Sequence, residues 1–168
     1  NKTIGVSVAD ITNPFTPPVI SGISERCEKY GYKVIFTNSN NDEKREIENI
    51  NRMREDEVAG LIIDPVNPDS NIYNQLSNAY TVIVDRQSRR NVIDTIVTDN
   101  MNAVQKMVSQ MQSHDYDELY FISWPLDGFS TRVNRYSGFK LATKYLNDDH
   151  LLTIPYNNEF NLSNSFDQ

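Results

Sequence analysis

The stretch "TIGVSV" (3–8) running into "ADITNPF" (9–15) decides how the rest of the chain is read. Apolar and small residues alternate from Thr3 to Val8, the two-residue period of a β-strand. Asn13-Pro14 then breaks the strand, because the residue before a proline is pushed out of helical geometry and the pair favours a turn. Beyond it, "PPVISGISERCEKYG" (17–31) has helical apolar spacing, prolines suited to a first turn, and Gly31 placed to cap the end. The syllable is strand, loop, helix. Its loop carries an acid, an amide and an aromatic ring: Asp10, Asn13 and Phe15.

The syllable recurs. Strand-like runs follow at "YKVIFTN" (32–38), "VAGLIID" (58–64), "TVIVD" (81–85), "TIVTD" (95–99) and "ELYFISW" (118–124). Between them, "NDEKREIENINRMRED" (41–56) offers Asn41 and Asp42 as caps and sets Ile47, Ile50 and Met53 along one side. A shorter helix is expected over 70–79. Another, over 100–114, sets Val104, Met107, Val108 and Met111 on one core-facing side, and a last helix covers 130–148. Alternating β and α with apolar strands predicts an α/β fold, a doubly wound parallel sheet with helices on both faces.

Such folds hold ligands just past the carboxyl ends of their strands. Reading off those ends gives Asp10, Asn13 and Phe15, then Asn38, Asp64, Asp85-Arg86, Asp99-Asn100, and finally Trp124 with the loop to Arg132 and Arg135. Any one of these could be a turn residue, and Asp99 equally suits the cap of the helix it precedes. Together they place carboxylates, amides, guanidiniums and aromatic faces on one edge.

Bulk properties narrow the partners. The 168 residues are 38% hydrophobic and 23% charged, as in a globular domain, and the formal charge is −7. A nucleic-acid surface needs clustered Lys and Arg, and an acidic domain repels phosphate. The nearest basic run, "RQSRR" (86–90), reads as a solvated loop. No apolar stretch approaches the roughly 18 residues that span a bilayer, and "NKTIGVSV" runs directly into strand-like sequence without the pattern of a secretory signal. The single cysteine, Cys27, excludes an internal disulfide framework and shares an apolar helical spacing with Ile20, Ile23 and Tyr30, so it reads as a buried core thiol.

Little on this edge suits catalysis. His114 and His150 fall at helix ends in polar surroundings, read as surface residues, and have no metal-ligand spacing. The six glycines form no phosphate-cradling loop, and Ser130-Thr131 lack the setting of an activated nucleophile. No cofactor or metal is implied, and the chain reads as a non-enzyme. A polyhydroxylated ligand fits the inventory better. Ionised Asp accepts hydroxyl hydrogens, Asn both accepts and donates, Arg donates in a fixed fork, and Phe or Trp covers a ring face.

The order "IGVSVADITNPF", "GYKVIFTNSNND", "EVAGLIIDPVNPDS", "TVIVDRQ", "IVTDN" and "STRVNRYSGF" resembles the effector-binding core of LacI/GalR-family regulators, from residue 4 to about 142. The resemblance implies a periplasmic-binding-protein-like type 1 fold. It has an N-terminal lobe over 1–115 and the start of a C-terminal lobe over 116–168, incomplete in this chain. It implies a small effector, a sugar or sugar acid, held in the cleft between lobes. Asn13 and Phe15, Asp85 and Arg86, Asp99, and Arg135 before the Gly138-Phe139 pair match positions near bound ligand in the family. Arg132 lies one helical turn before Arg135, and arginines at 86, 132 and 135 suggest an acidic sugar. The same resemblance implies a cytoplasmic homodimer that reaches its DNA operator through a helix-turn-helix head absent from this chain. A periplasmic or lipoprotein sugar-binding component of a transporter would share the fold.

Overall fold

A computed structural model describes residues 1–155 apart from 78, 91 and 128. The end of the expected C-terminal lobe, "YNNEFNLSNSFDQ" (156–168), lies outside the described residues. The chain divides into two compact units, 1–98 and 99–168. In the second unit the helix over 100–112 packs along the helix over 130–143.

The first unit is a five-stranded, wholly parallel sheet of β1 (Thr3–Val8), β2 (Lys33–Asn38), β3 (Gly60–Ile63), β4 (Thr81–Val84) and β5 (Asp94–Ile96), in the order β2-β1-β3-β4-β5. Helix α1 (Thr16–Lys29) crosses from β1 out to β2, and α2 (Glu43–Glu55) returns past β1 to β3. Right-handed crossovers in opposite directions put the two helices on opposite faces. Gly31 ends α1 as expected: at φ 73° its N–H donates to the Glu28 carbonyl and the Tyr32 N–H to the Cys27 carbonyl, a Schellman cap. Asp42 caps α2, its Oδ1 accepting from the N–H groups of Lys44 and Arg45.

The core of this unit joins Ile50 and Met53 of α2 to Leu61, Ile63 and Ile83 of the sheet. Ile72, Tyr73 and Leu76 complete it from a 3-10 turn, Asn71–Leu76, that replaces the helix expected over 70–79. Each fully buried aliphatic side chain here stabilises by about 1.5–3 kcal/mol. Gly5 of β1 lies under Met53, and a Cβ there would come within 2.6 Å of the Met53 sulfur. Cys27 is half-buried rather than part of this core; α1 buries only Thr16 fully, so its apolar side is shallow.

The second unit holds α3 (Asn100–Gln112), β6 (Phe121–Ser123), α4 (Ser130–Thr143) and β7 (Leu151–Thr153), with β6 and β7 parallel. Its core is Val108, Leu119, Tyr136 and Phe139, with Val104, Phe121 and Tyr145 packed on it. Met107 and Met111, read as core-facing, are exposed. α4 stops at Thr143, short of 148, because Lys144 adopts the left-handed conformation (φ 62°) and donates its N–H to the Lys140 carbonyl. Of the two histidines, His114 is exposed as expected. His150 is not a plain surface residue: its ring stacks on Tyr145 at 3.8 Å and meets Tyr120 at 5.0 Å.

Candidate functional site

In the first unit β1 lies between β2 and β3, so chain direction reverses across the sheet at the β1–β3 seam. The loops leaving β1 and β3 part at their carboxyl ends there, and this is where open α/β sheets hold ligands. The β1 loop is internally braced. Asp10 Oδ1 accepts from the Thr12 N–H (2.9 Å) and hydroxyl (2.6 Å), and Asn41 Nδ2 donates to its Oδ2 at 3.3 Å. These bonds, the Thr12 hydroxyl first, hold the Asp10 carboxyl below its ordinary value of 3.8 against partial burial. Asn13 Oδ1 accepts the Phe15 N–H at 3.0 Å, and Thr16 N–H donates to the Asn13 carbonyl. Phe15, 38% exposed, stands at the start of α1.

Three strand ends meet at this rim. Asp64, after β3, is pushed up to about 6, chiefly by burial. The Arg86 guanidinium opposes that shift, Asp85 adds to it, the Ala9 N–H opposes it, and Asp10 adds a little more. Asp10, Asp64, Asp85 and Arg86 thus share one electrostatic neighbourhood. Asp85 itself is strained. At φ 72° it is the centre of a three-residue turn in which the Arg86 N–H donates back to the Val84 carbonyl at 2.9 Å, the rarer γ-turn hand. A non-glycine residue there costs about 1–3 kcal/mol, and such strain gathers at functional sites. The Arg86 side chain donates through Nη1 to the carbonyls of Pro65 (3.2 Å) and Val66 (2.7 Å). It braces the β3 loop as well as facing the carboxylates.

In the second unit, Asp99 does cap α3, accepting the Asn102 N–H at 3.2 Å. Arg135 Nε donates to Asn100 Oδ1 at 2.9 Å, so the "DN" pair and Arg135 are joined through the amide. Arg132 Nη1 donates to the Pro125 carbonyl at 2.8 Å and lies 3.8 Å over the Phe129 ring. Trp124, in the same loop, is 37% exposed. Asn13, Phe15, Asp85 and Arg86 therefore belong to the first unit, and Asp99, Trp124, Arg132 and Arg135 to the second.

Asp64 stands among the strand-end acids that the sequence offers, whereas Glu46 does not. Glu46 is fully buried, its Oε2 accepting the Val66 N–H and its Oε1 the Tyr73 hydroxyl, both at 2.7 Å. Its signal was available: it sits on the buried stripe of α2 with Ile50 and Met53, where an acid is out of place. An open apolar hollow of about 650 Å³, lined by Tyr32, Gly60, Ile62, Tyr80 and Val82, lies at the opposite, amino ends of β3 and β4, away from every polar group just described. Among the described residues no cluster of His, Cys, Asp and Glu could hold a metal ion.

A wholly parallel sheet with a polar, partly strained rim at its switch point, followed by a second α/β unit, defines a periplasmic-binding-protein-like type 1 domain. A family model described as "Periplasmic binding protein domain" matches residues 4–118, and the chain belongs to that family. It is 31% identical over 139 residues to the HTH-type transcriptional regulator PtxS of Pseudomonas putida, covering 82% of this chain and 41% of that one. It is 26% identical over 156 residues to the HTH-type transcriptional regulator KdgR of Bacillus subtilis, covering 92% and 46%. Among solved structures it matches the periplasmic binding protein/LacI transcriptional regulator from Alkaliphilus metalliredigens complexed with D-xylulofuranose. The TM-score is 0.75 at 24% identity, over 97% of this chain and 59% of that one. That likeness shows the fold. The chain spans less than half the length of the curated relatives named here.

Proposed function

We propose that this chain is the effector-sensing core of a LacI/GalR-type transcriptional regulator and that its effector is a sugar or sugar acid. The carrying observation is the rim of the first unit. Asp10, Asp64, Asp85 and Arg86 face one another at the ends of three adjacent parallel strands, beside Asn13 and the half-exposed Phe15. Carboxylates there accept hydroxyl hydrogens, and the phenyl ring covers an apolar sugar face. In the second unit, Asp99, Trp124, Arg132 and Arg135 are the proposed ligand-binding residues, the two arginines offering charge to a carboxylate or phosphate group. The effector binds one conformational state more tightly than another and so shifts their populations. In this reading DNA contact falls to a helix-turn-helix head, which the HTH-type name of the P. putida relative supports, in a cytoplasmic homodimer. The charge of −7 on this chain fits such a division of labour. The strained Asp85 and the buried, hydrogen-bonded acids of the rim suit the recognition of donor groups. The regulator names of both relatives favour this reading over a transporter component, which would use the same fold.

The test is a thermal-shift screen of the full-length protein against D-ribose, D-xylulose, D-gluconate and hypoxanthine. A raised melting temperature with a sugar or the sugar acid, lost in Asp85→Asn, is the expected result. Stabilisation by hypoxanthine alone overturns the sugar reading.

A further inference from the structure

One peptide unit of the rim is gripped from both ends. The N–H of the Pro65–Val66 peptide donates to Glu46 Oε2 at 2.7 Å, and its carbonyl accepts from Arg86 Nη1 at 3.2 Å; the same Nη1 reaches the Val66 carbonyl at 2.7 Å. The peptide therefore lies between a buried anion and the guanidinium of the rim, its dipole aligned with both charges. Pro65 is itself fully buried, so this peptide cannot turn to face solvent. The second oxygen of Glu46 is held by the Tyr73 hydroxyl, so α2, the β3 loop and the 3-10 turn all converge on one carboxylate.

We infer that Glu46 is a positioning residue for the effector rim: acting through the Pro65–Val66 peptide, its carboxylate sets the place of the Arg86 guanidinium, and effector affinity follows its ionisation. The inference rests on the effector-binding reading above. The charged groups around it are few. Tyr73 faces it from the 3-10 turn, Asp64 from the end of β3 and Glu43 from its own helix, while Arg86, Asp85 and Asp10 surround Asp64. Burial pushes Glu46 up to about 7, against the Tyr73 and Val66 hydrogen bonds; Asp64 and Glu43 add smaller upward shifts. A proton on Oε1 turns the Tyr73 hydroxyl into its acceptor and leaves Oε2 as the Val66 acceptor. The Val66 N–H then binds a neutral acid, and a hydrogen bond to a charged partner is about twice as strong as one to a neutral partner.

Glu46→Gln mimics the protonated state, its carbonyl toward Val66 and its NH2 toward Tyr73. The experiment compares wild type and Glu46→Gln in the full-length protein from pH 5 to 9. Valine-selective ¹⁵N spectra without ligand follow the Val66 amide, thermal melts follow stability, and calorimetric titrations use D-ribose and D-gluconate. In the wild type, the Val66 amide should titrate near neutrality and affinity for the sugar that binds should weaken several-fold below that midpoint. In Glu46→Gln the near-neutral step should vanish from both, leaving only the Asp64 step near pH 6. Affinity at pH 8 should fall several-fold while the melting temperature rises, because a buried charge is gone. A merely structural role would lower stability and affinity together. A Val66 amide that does not titrate near neutrality, or an affinity in Glu46→Gln equal to wild type at pH 8, overturns the inference. If neither sugar binds the wild type, the effector reading fails for these ligands, and the Val66 titration still decides whether Glu46 controls the peptide.

Discussion

Arg86 and Asp64 show how much of this rim is decided by single side chains. Burial raises Asp64 to about 6, and the Arg86 guanidinium is the largest influence against it. Arg86→Gln removes that cation and leaves burial, Asp85 and Asp10 opposed only by the Ala9 N–H, so the Asp64 midpoint should rise above about 6. The sign for stability follows. A carboxyl that holds its proton more tightly folded than unfolded contributes stability that is complete below its unfolded value of 3.8 and is lost as pH rises through its folded value. In Arg86→Gln that loss should extend to higher pH than in the wild type. Carboxyl ¹³C titration of aspartate-labelled protein measures the midpoint directly. An unchanged or lowered Asp64 midpoint contradicts the assigned neighbourhood.

At the scale of elements, two glycines in helices make opposite predictions. A Cβ on Gly138 of α4 would run into the Met101 carbonyl of α3, whereas one on Gly22 of α1 meets nothing within 4 Å. Gly138→Ala should destabilise by about 1–3 kcal/mol through forced separation of two helices. Gly22→Ala should stabilise by about 0.5–1 kcal/mol by removing backbone freedom from the unfolded chain. Asp42→Ala should cost about 1 kcal/mol through loss of the α2 cap. Urea denaturation of the three variants checks all of these signs. The elements with strong local signals were legible in the sequence: the alternation in β1, the cap at Asp42, the Schellman glycine at 31. What escaped reading depends on contacts made far along the chain. β7 has only three residues, too few for a period to show. The stretch 70–79 carries Asn, Ser and Gln that compete for backbone hydrogen bonds, and it tightens into a 3-10 turn. The hydrogen bond from Arg135 to the Asn100 side chain spans 35 residues and leaves no local signal in the sequence. Glu46 was hidden for the opposite reason: a polar letter on an apolar stripe looks like an exception until its partners, Val66 and Tyr73, are brought to it by folding.

For the whole molecule, the proposed function is a statement about coupled free energies. If a sugar binds one state of the full-length regulator more tightly, operator affinity must change by the same factor by which operator DNA changes sugar affinity, since both describe one cycle. Couplings of this kind are about 1–3 kcal/mol, or roughly 5–150-fold. The acidic charge of −7 on this chain adds nothing attractive to phosphate. On the proposed reading, the salt dependence of operator binding should be set by a DNA-binding head and should keep the same slope with and without sugar. Anisotropy titrations of operator DNA, selected from genomic fragments by the full-length protein, would be run with and without the sugar found in the screen, at several salt concentrations. Parallel salt lines displaced by a constant factor, matched by the reciprocal shift in sugar affinity, are expected. A sugar that binds but leaves operator affinity unmoved would show that the rim recognises a ligand without regulating DNA, and would return the chain to the solute-binding side of its family.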